Sequence, residues 1–172
     1  MQFTGDRDEI DINIDPSTST NDLRVISKGT GNRLTIGANC RIASHIFLAN
    51  GATLQIGDRV TATGSIAFHL HEGSHVSIGD GCLFSQQISF RPSDAHKIFD
   101  IATGLRINEP RPILIGNKVW VGEQVLFLKG AEVADGSVVG ARSTVSAVFE
   151  EPNVLIVGTP ARVLRHGIRW EA

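Results

Sequence analysis

Apolar residues recur at every sixth position over most of the chain. Near its end the series runs Ile115, Val121, Phe127, Val133, Val139 and Val145. Earlier it appears as three triplets: Ile36, Ile42 and Leu48; Ile56, Ala62 and Phe68; Ile78, Phe84 and Phe90. A second apolar set sits two positions before the first, as at Leu34, Cys40, Ile46, Val76 and Ile113. A period of six fits neither a 3.6-residue helix nor a continuous strand, but it fits a solenoid that lays one short strand per side and then turns. Alternation along each strand points both sets inward. Between them fall Gly37, Asn39, Gly57, Asp58, Gly79, Asp80, Gly116, Asn117, Asp135 and Gly136, which suit sharp turns and positive φ. The pattern predicts an all-β chain, a triangular parallel β-helix with three hexapeptides per coil, whose inner faces are buried only by stacking.

The repeat also divides the chain. Residues 1–31 are polar and irregular, with only Leu23, Val25 and Ile26 strand-like, and read as an N-terminal lead-in or cap. The β-helix spans 32–157. Within it the spacing widens to eight residues from Leu48 to Ile56, ten from Phe68 to Ile78 and twenty-five from Phe90 to Ile115. Each widening follows the third member of a triplet, so the insertions leave from one corner and stack there. The longest, 91–112, is the place to expect function, because long excursions from a regular scaffold usually carry it. Residues 158–172 read as a C-terminal cap, with a short helix over 161–168 packing Val163 and Leu164 on the last coil.

A length of 172 residues, 41% hydrophobic content and a net charge of -2 fit one soluble globular domain. No basic run or basic amphipathic stretch points to nucleic acid or an anionic membrane. The stretch Asp6, Arg7, Asp8 and Glu9 is no secretory signal, and no apolar run approaches a membrane span, so the expectation is a cytoplasmic protein without membrane insertion. Cys40 and Cys82 occupy inward positions two coils apart. At a strand spacing of about 4.8 Å they are roughly 10 Å apart, out of disulfide reach, and read as reduced core residues.

Phe84-Ser85, the run Ser93 to Asp100, Val119-Trp120-Val121-Gly122 and Gly158-Thr159-Pro160-Ala161-Arg162 together resemble the hexapeptide-repeat acetyltransferases. The likeness is strongest to the branch that O-acetylates capsular or cell-surface saccharides. It implies a left-handed parallel β-helix with a long active-site loop, acetyl-CoA as co-substrate, a saccharide acceptor and a homotrimer with its sites between subunits. It also implies that His96 is the general base and that Trp120, outward because its neighbour Val121 points in, lies near the acetyl group or acceptor. His96 and Trp120 would then complete one site from two chains. The base makes chemical sense by itself: a sugar hydroxyl attacks a thioester only as its proton is removed, and an imidazole with an ordinary pKa near 6.5 suits that task. Asp94 or Asp100, or a backbone carbonyl, would orient the ring.

For the coenzyme the resemblance implicates Gly122, Glu123, Gly140, Ala141, Ser146, Arg162 and Arg165. Two departures stand out. Ser146-Ala147 replaces a common Thr-Lys pair, so one cation is missing and Arg142 or Lys129 would have to substitute. Ser85-Gln86-Gln87 lacks an asparagine used elsewhere near the oxyanion, so a backbone N–H would serve there.

His69, His71 and His75 read as surface loop histidines, with lining of an acceptor pocket or metal binding as the alternatives; no metal is expected. N-acetylation of an amino sugar would use the same base and thioester. A metal hydratase resembling the γ-class carbonic anhydrases lacks its Gln-Asp, Gly-His and His-Gly-Cys contexts here. A non-enzymatic scaffold gives no reason for a long loop carrying Asp94 and His96.

Overall fold

The structure, a computed structural model, describes residues 1–6 and 9–171. Among the described residues, twenty strands wind into a three-sided solenoid. Sheet A stacks β1 (Gln2–Thr4), β3 (Leu23–Lys28), β5 (Ser44–Ala49), β8 (Ile66–Leu70), β11 (Ile88–Arg91), β14 (Leu126–Leu128) and β17 (Thr144–Val145). Sheet B stacks β2 (Ile10–Ile14), β4 (Asn32–Ile36), β6 (Thr53–Ile56), β9 (His75–Ile78), β12 (Ile113–Ile115), β15 (Glu132–Val133) and β18 (Val148–Phe149). Sheet C stacks β7 (Thr61–Ala62), β10 (Leu83–Phe84), β13 (Trp120–Val121), β16 (Val138–Val139), β19 (Leu155–Gly158) and β20 (Ala161–Arg165). Among these strands all pairings are parallel except β19 with β20.

Both apolar sets point inward as the alternation requires. Leu34, Ile36, Ile46, Leu48, Val119 and Val121 are all at most 2% exposed. Along the axis, Phe68, Phe90 and Phe127 stack with ring centroids 4.7 and 4.8 Å apart. That distance equals the strand spacing, so the coil repeat itself sets the aromatic contact. Cys40 and Cys82 are free and buried, each with its thiol on a carbonyl of the next coil. Burial pushes the Cys82 thiol up to about 12, so it stays a thiol.

The corner between sheets B and C is built by side chains. Oδ1 of Asp58, Asp80, Asn117 and Asp135 accepts the backbone N–H of Ala38, Asp58, Asp80 and Asn117, respectively, at 2.7–2.9 Å. Each acceptor lies so close to the preceding coil that a Cβ on Gly37, Gly57, Gly79 or Gly116 would fall 2.2–2.6 Å from it. Glycine is required there by close approach. The three insertions leave at the opposite position, the corner between sheets A and B.

Two expectations are corrected. Residues 1–31 are not a loose lead-in: β1, β2 and β3 continue sheets A and B in register, with Leu23 and Val25 buried and Ile10, Ile12 and Ile14 packed on the core. Alternation at Ile10, Ile12 and Ile14 carried that signal. Residues 161–165 form a strand rather than a helix. After Gly158 (φ 101°) the chain reverses, and β20 pairs antiparallel with β19 and covers the open edge of sheet C. Val163 packs on the core, but Leu164 is 66% exposed.

Candidate active site

The 91–112 loop is pinned at its neck by charge. Glu72, on the insertion one coil below, accepts Ser93 Oγ at 2.7 Å and Arg106 Nη2 at 2.9 Å, and Arg106 also pairs with Glu109 at 3.2 Å. Arg111 N–H donates to the Pro92 carbonyl across the base. Within the loop, Ile107 N–H bonds the Ile98 carbonyl and Phe99 bridges Arg106, making a small hairpin; Asp100 accepts from Thr103 N–H and Oγ at its turn.

Asn108, only 6% exposed, ties the hairpin to the scaffold. Its Nδ2 donates to Asp94 Oδ2 and to the His96 carbonyl, both at 2.8 Å, while its Oδ1 accepts Ile98 N–H at 2.7 Å and Arg106 Nε at 3.3 Å. Asp94 also receives Lys129 Nζ from the next coil. Those donors, Lys129 first, hold the Asp94 carboxyl below its ordinary value, as the Arg106 and Ser93 hydrogen bonds do for Glu72. Ala95 takes a left-handed conformation (φ 61°), and His96 follows it exposed to solvent.

The ring of His96 therefore stands clear of both candidate carboxylates. Asp94 faces Lys129 and Asn108, Asp100 closes its own turn, and among the described residues no side chain hydrogen-bonds the imidazole. Asp94 reaches His96 through Asn108 and the backbone. Lys129 is committed to Asp94 and supplies no spare cation, whereas Arg142 stays exposed with its Nε on Gln124. No group of histidine, cysteine, aspartate or glutamate among the described residues is arranged to hold a metal; His71 instead packs on the Phe47 ring at 4.7 Å.

The other expected residues occupy different sides of the prism. Trp120, 39% exposed, opens β13 on the outer face of sheet C, in one row with Val138, Leu155 and Arg165. At the far ends of the same strands Gly122 lies against Ala141, Gly140 against Val157, and Val157 opposite Arg162. Glycine at 122 and 140 is demanded by stacking, since an added Cβ would meet Ala141 N at 2.7 Å and Val157 Cγ1 at 2.8 Å. Glu123 and Arg162 complete this column: Glu123 accepts Gln86 Nε2 at 3.4 Å, and Arg162 gives one N–H to the Ala161 carbonyl and leaves the rest of its guanidinium outward. Ser146 stands apart, beyond β17 on the loop's corner.

Trp170, which the repeat pattern passes over, packs on Trp120 with centroids 6.2 Å apart and donates Nε1–H to the Lys118 carbonyl at 2.8 Å. With Lys118, Arg169 and Asn153 it lines a groove of about 470 Å³. An aromatic plate between two cations suits a planar or sugar-like group bearing negative charge. Its signal in the sequence is one of only two tryptophans in a polar tail.

No protein-family model matches the chain. A polysialic acid O-acetyltransferase of Neisseria meningitidis is 33% identical over 181 residues, covering 92% of this chain and 84% of that protein. A solved acetyltransferase specific for polysialic acid superposes with a TM-score of 0.85 at 30% identity, over 99% of this chain and 72% of the other. A galactoside acetyltransferase solved with coenzyme A shares the fold at a TM-score of 0.50 and 23% identity, over 91% and 64%. The repeat, the loop at a single corner and these likenesses over nearly the whole chain agree, and the chain belongs to the hexapeptide-repeat acetyltransferases.

Proposed function

We propose that this protein transfers an acetyl group from acetyl-CoA to a hydroxyl of a saccharide, with His96 as the general base. The observation that supports the reading is an exposed imidazole on a loop whose backbone is held by Asn108, Asp94–Lys129 and Arg106–Glu72. Acetyl-CoA supplies the acetyl group as a thioester. His96 takes the proton of the acceptor hydroxyl as its oxygen bonds to the acetyl carbonyl carbon, and the imidazolium returns that proton to the sulfur as the carbon–sulfur bond breaks. Gly122, Gly140 and Ala141 form a run of small residues beside Glu123, which Val157 continues to the outward guanidinium of Arg162, a surface that suits a pantetheine arm and its phosphates. Arg165 adds a second cation on the row of Trp120.

The site draws on two chains of a homotrimer. In one chain the His96 loop leaves the corner between sheets A and B, while Trp120 and the coenzyme column lie on sheet C. The loop hairpin also exposes Ile98, Phe99, Ile101, Leu105 and Ile107, each more than half open, an apolar tip that a neighbouring subunit would cover.

Calorimetric titration with acetyl-CoA tests the coenzyme, with saturable binding near one molecule per subunit expected and no binding against it. His96→Ala should abolish turnover while acetyl-CoA still binds. Hybrid trimers of His96→Ala and Trp120→Ala chains should regain part of the activity, because some interfaces then hold both intact residues; inactive hybrids defeat the two-chain site.

A further inference from the structure

The outer face of sheet A next to the His96 loop carries an unusual set of side chains. On β3, β5, β8 and β11, strand pairing places Ile26, Phe47, His69 and Arg91 in one row and Arg24, His45, Ala67 and Ser89 in the next. Lys28 Nζ lies 5.8 Å from the Phe47 ring centroid, and His71 packs against that ring at the corner. Arg24, Ile26, His45, Phe47 and His69 line a shallow groove of about 340 Å³. The face therefore holds three permanent cations, three imidazoles and an apolar strip of Ile26 and Phe47. The acids bordering it are already engaged: Asp22 pairs with Arg24 at 3.4 Å, and Glu72 is taken by Arg106 and Ser93.

We propose that this face is the track for an acidic saccharide chain, whose carboxylates meet Arg24, Lys28 and Arg91 while its sugar faces lie on Ile26 and Phe47. This rests on the saccharide acetyltransferase reading and adds to it that the acceptor is an anionic polymer rather than a free sugar. Three observations carry it. Apart from the Arg24–Asp22 pair the charge of the face is positive, so its complement is an anion. Aliphatic and aromatic surface lies between the cations, as a sugar ring requires and a simple salt does not. The track also leads to the reacting group: Arg91 closes β11 and is the residue from which the loop that carries His96 departs, so the strip runs into that loop. Burial, first, and then Arg91 hold His69 and His71 below the ordinary imidazole value, so both rings stay neutral and offer an arriving carboxylate an N–H rather than a charge. Four strands at about 4.8 Å give the strip a width near 14 Å, longer than one sugar ring.

The test titrates the full chain with polysialic acid, hyaluronan and neutral dextran, beside Arg24→Ala, Arg91→Ala and Phe47→Ala. Acetyl-CoA calorimetry and light scattering are run on the same preparations. The expected result is salt-sensitive binding of both acidic polymers and none of dextran, with each arginine variant about tenfold weaker, the loss of one charge-assisted contact. Phe47→Ala should weaken binding without changing its salt dependence. Acetyl-CoA affinity and assembly size should match the parent in all three. Equal binding of dextran, or parent-like binding by the arginine variants, overturns the track and leaves the transferase reading standing. Variants that fall apart into smaller assemblies overturn it too, since a second copy would then cover the face. Loss of acetyl-CoA binding by the parent itself would instead remove the transferase reading.

Discussion

Asn108→Ala should release the 91–112 loop without unfolding the solenoid. The truncation removes four hydrogen bonds, two to backbone groups of the loop and two to charged side chains. Asp94 keeps Lys129, and Arg106 keeps Glu72 and Glu109, so the charged partners lose only part of their contacts. Ile98 N–H and the His96 carbonyl lose theirs, but both belong to exposed residues that water can reach. At about 1 kcal/mol for each bond replaced by water, the closed loop loses about 3–4 kcal/mol. That is about two to three orders of magnitude in its closed-to-open ratio. Amide exchange at 94–108 should accelerate by that order, turnover should fall, and acetyl-CoA affinity and the exchange of β12 to β15 should hold. Unchanged protection of 94–108 in Asn108→Ala would refute the reasoning, as would a loss of protection spread equally over the core strands.

Other consequences follow from the same structure. Phe90→Ala interrupts the aromatic column between Phe68 and Phe127 and should cost about 3–5 kcal/mol, read as a lowered denaturant midpoint. The loop should also loosen in acid. Asp94 and Glu72 titrate below their ordinary values of 3.8 and 4.5, so their contribution is complete above those values and disappears as pH falls through the lower folded ones; limited proteolysis between 91 and 112 should start only there. Trp170→Ala leaves Trp120 as the sole indole emitter and uncovers it, so fluorescence should move to longer wavelength and KM should rise. An unchanged spectrum maximum would separate the two rings.

The sequence spoke most clearly where packing alone chooses the residue. Inward positions such as Ile36, Phe68 and Val121 must be apolar on every side of every coil, so the period is visible without any tertiary knowledge. It faded where the rule is relaxed. The first coil has strands on only two sides, its third reduced to the single bridge of Ser19 with Arg41, and so it lacks the six-residue beat. At the other end, the open edge of sheet C outweighed any helical preference of 161–168. For the site, spacing located the loop and the resemblance singled out His96, but what holds His96 in place was hidden. Glu72 and Arg106 stand 34 residues apart, Asp94 and Lys129 35, and only the folded coil brings such pairs together.

The side-chain ladder of Asp58, Asp80, Asn117 and Asp135 sets which parts of this molecule are open to redesign. One added residue at that corner would put the carboxylate or amide of its coil out of step with its amide partner and force a Cβ where only glycine fits. Among the described residues the corner between sheets A and B shows one rung of this kind, Ala52 N–H on Asn32 Oδ1, and it already accommodates insertions of three different lengths. New acceptor loops are therefore best grafted there, into a frame whose geometry the opposite corner keeps constant.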